Sequence, residues 1–114
     1  MDREAAIIKV QKYAELVTST YLTDKIILFG SYAKGNFTEN SDIDVAVMLN
    51  SFTGDFLNVS TNLCKLTRNI DYRIEPVLID INNDKSGFAH DILQYGITIY
   101  DKNNIQRIEN KYCA

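Results

Sequence analysis

Residues Lys25 to Leu49, KIILFGSYAKGNFTENSDIDVAVML, hold two apolar runs joined by a polar segment. Lys25–Phe29, β-branched in part and ended by Gly30, reads as a mostly buried strand, and Ile43–Leu49 reads as a second. Between them Ser31–Lys34 reads as a short helical turn. Gly35–Ser41 reads as a loop, from its Gly, Asn, Thr and Ser content. A parallel pairing of the two strands needs a crossover of about a dozen residues or more. Residues 32–41 are few, so an antiparallel pair is expected. The end of the first strand and the start of the second then meet on one edge of a sheet.

Outward from this pair the chain alternates helix and strand. Residues 3–20 read as a helix with Ile7, Val10, Ala14, Val17 and Tyr21 on one stripe, and with Glu4, Lys9, Lys12 and Glu15 elsewhere. Asn50–Gly54 reads as a turn. Asp55–Asn69 reads as a helix whose apolar face is Phe56, Val59, Leu63, Leu66 and Ile70. That helix can serve as a crossover, setting a third strand, Tyr72–Asp80, parallel to the second. Pro76 lacks a ladder donor and points to local irregularity in the third strand. Asn82–Lys85 is a polar loop, Gly87–Gln94 a helix stopped by Gly96, and Ile97–Tyr100 a short fourth strand. The tail from Lys102 is polar. The expected fold is α/β (α+β): one domain over residues 1–114, a small mixed sheet with helices mainly on one face.

Composition narrows the function. The chain has 114 residues, 46% hydrophobic and 24% charged, as in an ordinary globular domain with enough core to fold unaided. Twelve Lys and Arg stand against 15 Asp and Glu, a net charge of -3. No basic stripe for a long nucleic acid is visible. No apolar run reaches the ~18–20 residues of a membrane span, and Met1-Asp2-Arg3-Glu4 does not open like an export signal. Cys64 and Cys113 are too far apart for metal-ligand spacing and are expected as reduced thiols in a cytoplasmic protein. His90 is the sole histidine, which excludes multi-histidine zinc sites; it reads as a helix-face residue.

The chemistry concentrates at two neighbouring segments. In a strand, residues i and i+2 share a face, so Asp42 and Asp44 project side by side, while Ile43, Val45, Val47 and Leu49 turn into the core. Alone, such acids read as solvated turn or cap residues. Two carboxylates on one face repel unless a cation lies between them. Mg²⁺, with its preference for hard oxygen ligands, fits. Gly30-Ser31, ending the first strand, offers bare backbone amides and a hydroxyl to an anion. In the third strand, alternation puts Arg73, Glu75, Val77 and Ile79 on one face and Ile74 and Leu78 on the other. Glu75 is the expected third acid, with Asp71 the alternative.

Gly30-Ser31-x-x-x-Gly35, followed by Ser41-Asp42-x-Asp44 and apolar residues, resembles the nucleotidyltransferase superfamily typified by DNA polymerase beta. Within it the short chain resembles the minimal nucleotidyltransferase family. The likeness runs over about residues 25–80, and Ile97–Tyr100 fits loosely. It implies transfer of a nucleoside monophosphate from a triphosphate to an acceptor hydroxyl, with release of pyrophosphate. Asp42, Asp44 and Glu75 would then be catalytic and hold two Mg²⁺ ions, with Glu75 as general base or metal ligand. Gly30, Ser31 and Lys34 would hold the triphosphate. Many members carry Asp where this chain has Glu75.

The resemblance also implies a partner. Relatives of this size are often antitoxins paired with a HEPN-type ribonuclease toxin, and some silence it by moving AMP from ATP to a tyrosine hydroxyl. Two alternatives stay open: an antitoxin that neutralises by binding alone, and a small-molecule nucleotidyltransferase of aminoglycoside type, which needs a homo-oligomer to supply acceptor contacts. Lys34 also reads as a free surface lysine. The seven tyrosines read mostly as core and rim, with the nucleotide's border an alternative place for Tyr32.

Overall fold

The computed structural model describes residues 1–49, 55–82 and 87–104. The expected turn at 50–54, most of the loop at 82–85 and the tail beyond 104 lie outside the described residues.

The first helix, α1 (Arg3–Thr20), starts at Asp2, whose carboxylate accepts the Ala5 N–H. Its buried stripe is Ala6, Val10, Tyr13, Ala14 and Val17. Ile7 and Tyr21, expected on that stripe, sit at its margin. The strand β1 (Lys25–Phe29) leads through Gly30 into the single turn α2 (Ser31–Lys34), and β2 (Ile43–Leu49) returns antiparallel to β1, as the short link requires.

The next helix, α3 (Phe56–Leu66), is capped by Asp55, which accepts the Asn58 N–H. The expected run to Asn69 tightens instead into a 3-10 turn at Thr67–Asn69, where the Thr67 hydroxyl donates to the Cys64 carbonyl. Val59 and Leu63 carry the buried face, while Phe56 is half exposed. Cys64 is exposed and free.

The third strand, β3 (Ile74–Asp80), begins later than alternation predicts. The Arg73 amide and guanidinium both bond back to Asp71, and this local turn takes Tyr72 and Arg73 out of the strand. Arg73 therefore does not share the face of Glu75; its guanidinium reaches Met1 Sδ. β3 pairs parallel with β2 in unbroken register from Ile43↔Ile74 to Leu49↔Asp80. Pro76 causes no irregularity there because β3 is an edge strand.

The helix α4 (Phe88–Tyr95) and the strand β4 (Ile97–Asp101) complete a four-stranded sheet of order β3-β2-β1-β4, with β4 antiparallel to β1 and a register shift between Ile26 and Ile27. One face packs Ile26, Leu28, Ile43, Val45, Val47, Leu49, Ile74 and Leu78 under α1 and α3. The buried Tyr13 hydroxyl ties those helices together by donating to the Leu63 carbonyl, and burial pushes that phenol up from its ordinary pKa. The other face packs Ile27, Ala46, Met48 and Ile79 under Ala89 and Ile92 of α4. Helices thus cover mainly one face, with α4 on the other. Gly96 ends α4 where only glycine fits: a Cβ would stand 2.6 Å from the Ile92 carbonyl and 3.0 Å from that of Leu28. No helix among the described residues is long and apolar enough to cross a membrane.

Candidate active site

The α4 face of the sheet carries one polar row. Register sets Phe29 opposite Asp44 across the antiparallel pair, and Asp44 opposite Glu75 across the parallel pair. Residues directly opposite in a ladder share a face. Asp42 lies just ahead of β2, near enough for its charge to act on Asp44. Asp44 is half-buried, while Asp42 and Glu75 are exposed. Burial, then the charge of Glu75, then that of Asp42, raises the Asp44 carboxyl above its ordinary pKa.

Gly30 closes the site on its third side. Its φ of 72° and ψ of -148° lie in a region open in practice to glycine alone. A Cβ there would collide with Asp44 Oδ2. The backbone of the β1–α2 junction thus lies directly against the central carboxylate, with no side chain between. Ser31 opens α2 and Lys34, exposed, closes it.

Two further devices hold these pieces. Arg3 of α1 donates through Nε to the Tyr32 carbonyl at 2.9 Å and through a terminal nitrogen to the Ala33 carbonyl at 3.1 Å, fixing the turn that carries Ser31 and Lys34. Ahead of the acids, the Ser41 hydroxyl accepts the Thr38 N–H at 2.8 Å while the Ser41 N–H donates to the Thr38 carbonyl at 3.2 Å, a small loop that delivers Asp42 to β2. Sequence reasoning missed Arg3, because a side chain bonding carbonyls some thirty positions away leaves no periodic signal. The Ser and Thr content of residues 35–41 was the available sign of the loop.

Not every candidate joins the row. Asp71 accepts from the Arg73 guanidinium and from Lys9 Nζ, and its side chain is only 5% exposed. These cations hold it well below the usual carboxylate range. It is a structural ion-pair centre between α1 and the start of β3, not a third acid beside Asp44. Tyr32 is wholly buried and stacks on Phe37 with ring centroids 4.4 Å apart, so it belongs to the core.

Hard oxygen donors that repel one another across a glycine-lined edge fit a divalent cation in kind. Among the described residues, no group of three His, Cys, Asp or Glu side chains is drawn together as a finished metal cage. The acids stand as a row.

Residues 11–105 match the family described as polymerase beta, nucleotidyltransferase. The chain belongs to that family. This nucleotidyltransferase is 30% identical over 100 residues to a Methanocaldococcus jannaschii protein provisionally named a protein adenylyltransferase, covering 82% of this chain and 98% of the relative. A second protein of that organism with the same provisional name is 44% identical over 50 residues, 42% of this chain and 47% of its own. In solved structures, a provisionally named nucleotidyltransferase from Sulfolobus solfataricus superposes with a TM-score of 0.65 at 16% identity, over 89% of this chain and 85% of its own. A chain of a toxin-antitoxin crystal structure with AMP-PNP gives 0.62 at 24% identity, over 90% and 78%. At these identities the nucleotidyltransferase shares a fold with both.

Proposed function

We propose that this nucleotidyltransferase moves AMP from ATP to a hydroxyl of a partner protein, as the antitoxin of a toxin-antitoxin pair whose toxin is of HEPN type. The observation that carries the reading is the Asp44 carboxylate. It lies between Glu75 and Asp42 and directly against the bare Cα of Gly30. The M. jannaschii relative supports a protein acceptor by its provisional name and its near full-length match. The toxin-antitoxin neighbour with AMP-PNP supports the fold's use in that setting.

In the proposed reaction Asp42 and Asp44 would hold two Mg²⁺ ions, with Glu75 as a third ligand or as the base. When bound, the ions lower the pKa of the acceptor hydroxyl and neutralise the departing pyrophosphate. Gly30 presents backbone to the triphosphate and Ser31 its hydroxyl, and Lys34 adds positive charge beside them. The acceptor oxygen forms a bond to the α-phosphorus as the bond from that phosphorus to the bridging oxygen of pyrophosphate breaks. Glu75 would take the acceptor proton as general base, or, where it serves as metal ligand, the proton would pass to solvent water. Positioning and charge stabilisation account for most of the acceleration.

The test is intact mass spectrometry of the neighbouring gene's product after incubation with the protein, ATP and Mg²⁺. A gain of one AMP residue is expected, and its absence with active partner present rejects the reading. Neutralisation by binding alone is the second reading, supported by the toxin-antitoxin setting of the structural neighbour. It expects no added mass and full neutralisation by Asp44→Asn.

A further inference from the structure

Beside the acidic row, a cavity of about 430 Å³ opens between the end of β1, α2 and α4. Its volume lies within the range of small-ligand sites. Its walls differ in chemistry. The α2 wall has the backbone of Gly30 and the charge of Lys34; the α4 wall has Phe88, Asp91, Ile92 and Tyr95. Phe29 lines it from the sheet and meets Phe88 edge to face, with centroids 5.9 Å apart and an interplanar angle of 87°. Tyr95 stands 67% exposed at this aromatic wall.

Gly30 belongs to both places. It lines the cavity and it faces Asp44. Phe29 does the same from the sheet, lining the cavity while paired with Asp44. The cavity therefore adjoins Asp44 through Gly30 and Phe29.

We propose that this cavity is the nucleoside subsite of the donor, with the base packed against the Phe88 and Tyr95 rings and the phosphates led along the α2 wall to Gly30. The proposal rests on the nucleotidyl-transfer reading above. Charge sets the direction of the ligand: Asp91 repels phosphate from the α4 wall, and Lys34 attracts it to the other. An aromatic wall of this kind recognises the base by its ring faces, which every base possesses, so purine donors rank above pyrimidine donors by stacking area.

The experiment measures binding of ATP and of inorganic tripolyphosphate, each with Mg²⁺, to the full chain and to Phe88→Ala, Tyr95→Ala and Leu22→Ala by titration calorimetry, with thermal melts to establish folding. Leu22 is an exposed control outside this cavity. The expected result is a loss of about tenfold in ATP affinity for each aromatic variant, with tripolyphosphate affinity unchanged and Leu22→Ala like wild type. Wild type that binds ATP, with aromatic variants that bind it equally well, overturns the subsite and leaves the nucleotidyl-transfer reading standing. A loss of ATP and tripolyphosphate binding alike also overturns it, since the rings then act on the fold and not on the base. Wild type that binds neither probe removes both readings.

Discussion

Gly30 turns its bare Cα onto the Asp44 carboxylate, so closely that a Cβ would overlap Oδ2. The position is doubly committed, because its φ of 72° with ψ of -148° already excludes ordinary side chains. Gly30→Ala is expected to cost about 1–3 kcal/mol of stability from backbone strain alone. Transfer should fall further than stability does, since Asp44 must turn away to admit the methyl. Urea unfolding alongside a label-transfer assay separates the two effects.

Asp44→Asn removes a charge that Glu75 and Asp42 oppose and that burial disfavours. Stability without divalent ions should hold or rise, by less than about 1 kcal/mol because the group is only half-buried and its neighbours are solvated. Nucleotidyl transfer should disappear. Added Mg²⁺ should raise the melting temperature of wild type and leave that of the variant nearly unmoved. A variant that melts well below wild type in chelator would mean that Asp44 is structural.

The central hairpin was legible because its signals were local. Lys25–Phe29 and Ile43–Leu49 are bounded apolar runs, and the link between them is too short for a crossover, so their antiparallel pairing followed. The parallel third strand followed from the helix before it. Reading failed where a side chain competed with the backbone pattern. Alternation carried one step too far sent Arg73 to the face of Glu75, whereas hydrogen bonds to Asp71 hold it outside the strand. For Tyr32 the core reading holds over the nucleotide's border, a choice that a turn of four residues has too little periodicity to make from sequence. The face taken by α4 was equally hidden, because it depends on β4 closing the far side of β1.

Asp71 gives the fold its acid sensitivity. The Arg73 guanidinium and Lys9 hold its carboxyl below the ordinary value, so around pH 4 the unfolded chain binds the extra proton and folding strengthens as pH rises. This contribution is complete above the ordinary aspartate pKa and is lost as pH falls through the lower folded value. Asp71→Asn should cost ~2 kcal/mol near pH 7. The gap between wild type and variant in urea titrations should narrow steadily below about pH 4. A gap that stays constant with pH would reject the ion-pair account.

The Tyr32 hydroxyl is wholly buried, and no hydrogen-bond partner for it exists among the described residues. A buried hydroxyl without a partner costs about 1–3 kcal/mol of desolvation. Tyr32→Phe keeps the stacked ring on Phe37 and removes that cost. The variant is expected to be more stable than wild type by ~1 kcal/mol, read as a higher urea midpoint with an unchanged slope. A lower midpoint would mean the hydroxyl has a partner in solution.

Arg3 acts on the site from α1. Its guanidinium spans the Tyr32 and Ala33 carbonyls, and a Cβ on Gly35 would stand 3.0 Å from the same side chain. The clamp fixes α2 relative to α1, and with it the proposed phosphate contacts of Ser31 and Lys34. Arg3→Ala should loosen α2 and weaken ATP binding several-fold, while the melting temperature moves little because Arg3 is exposed. Arg3→Lys keeps the charge but cannot form the two-pronged contact, so it should behave nearer to alanine than to wild type. Full binding by Arg3→Lys would show that positive charge near the phosphates matters there, and that the geometry of the clamp does not.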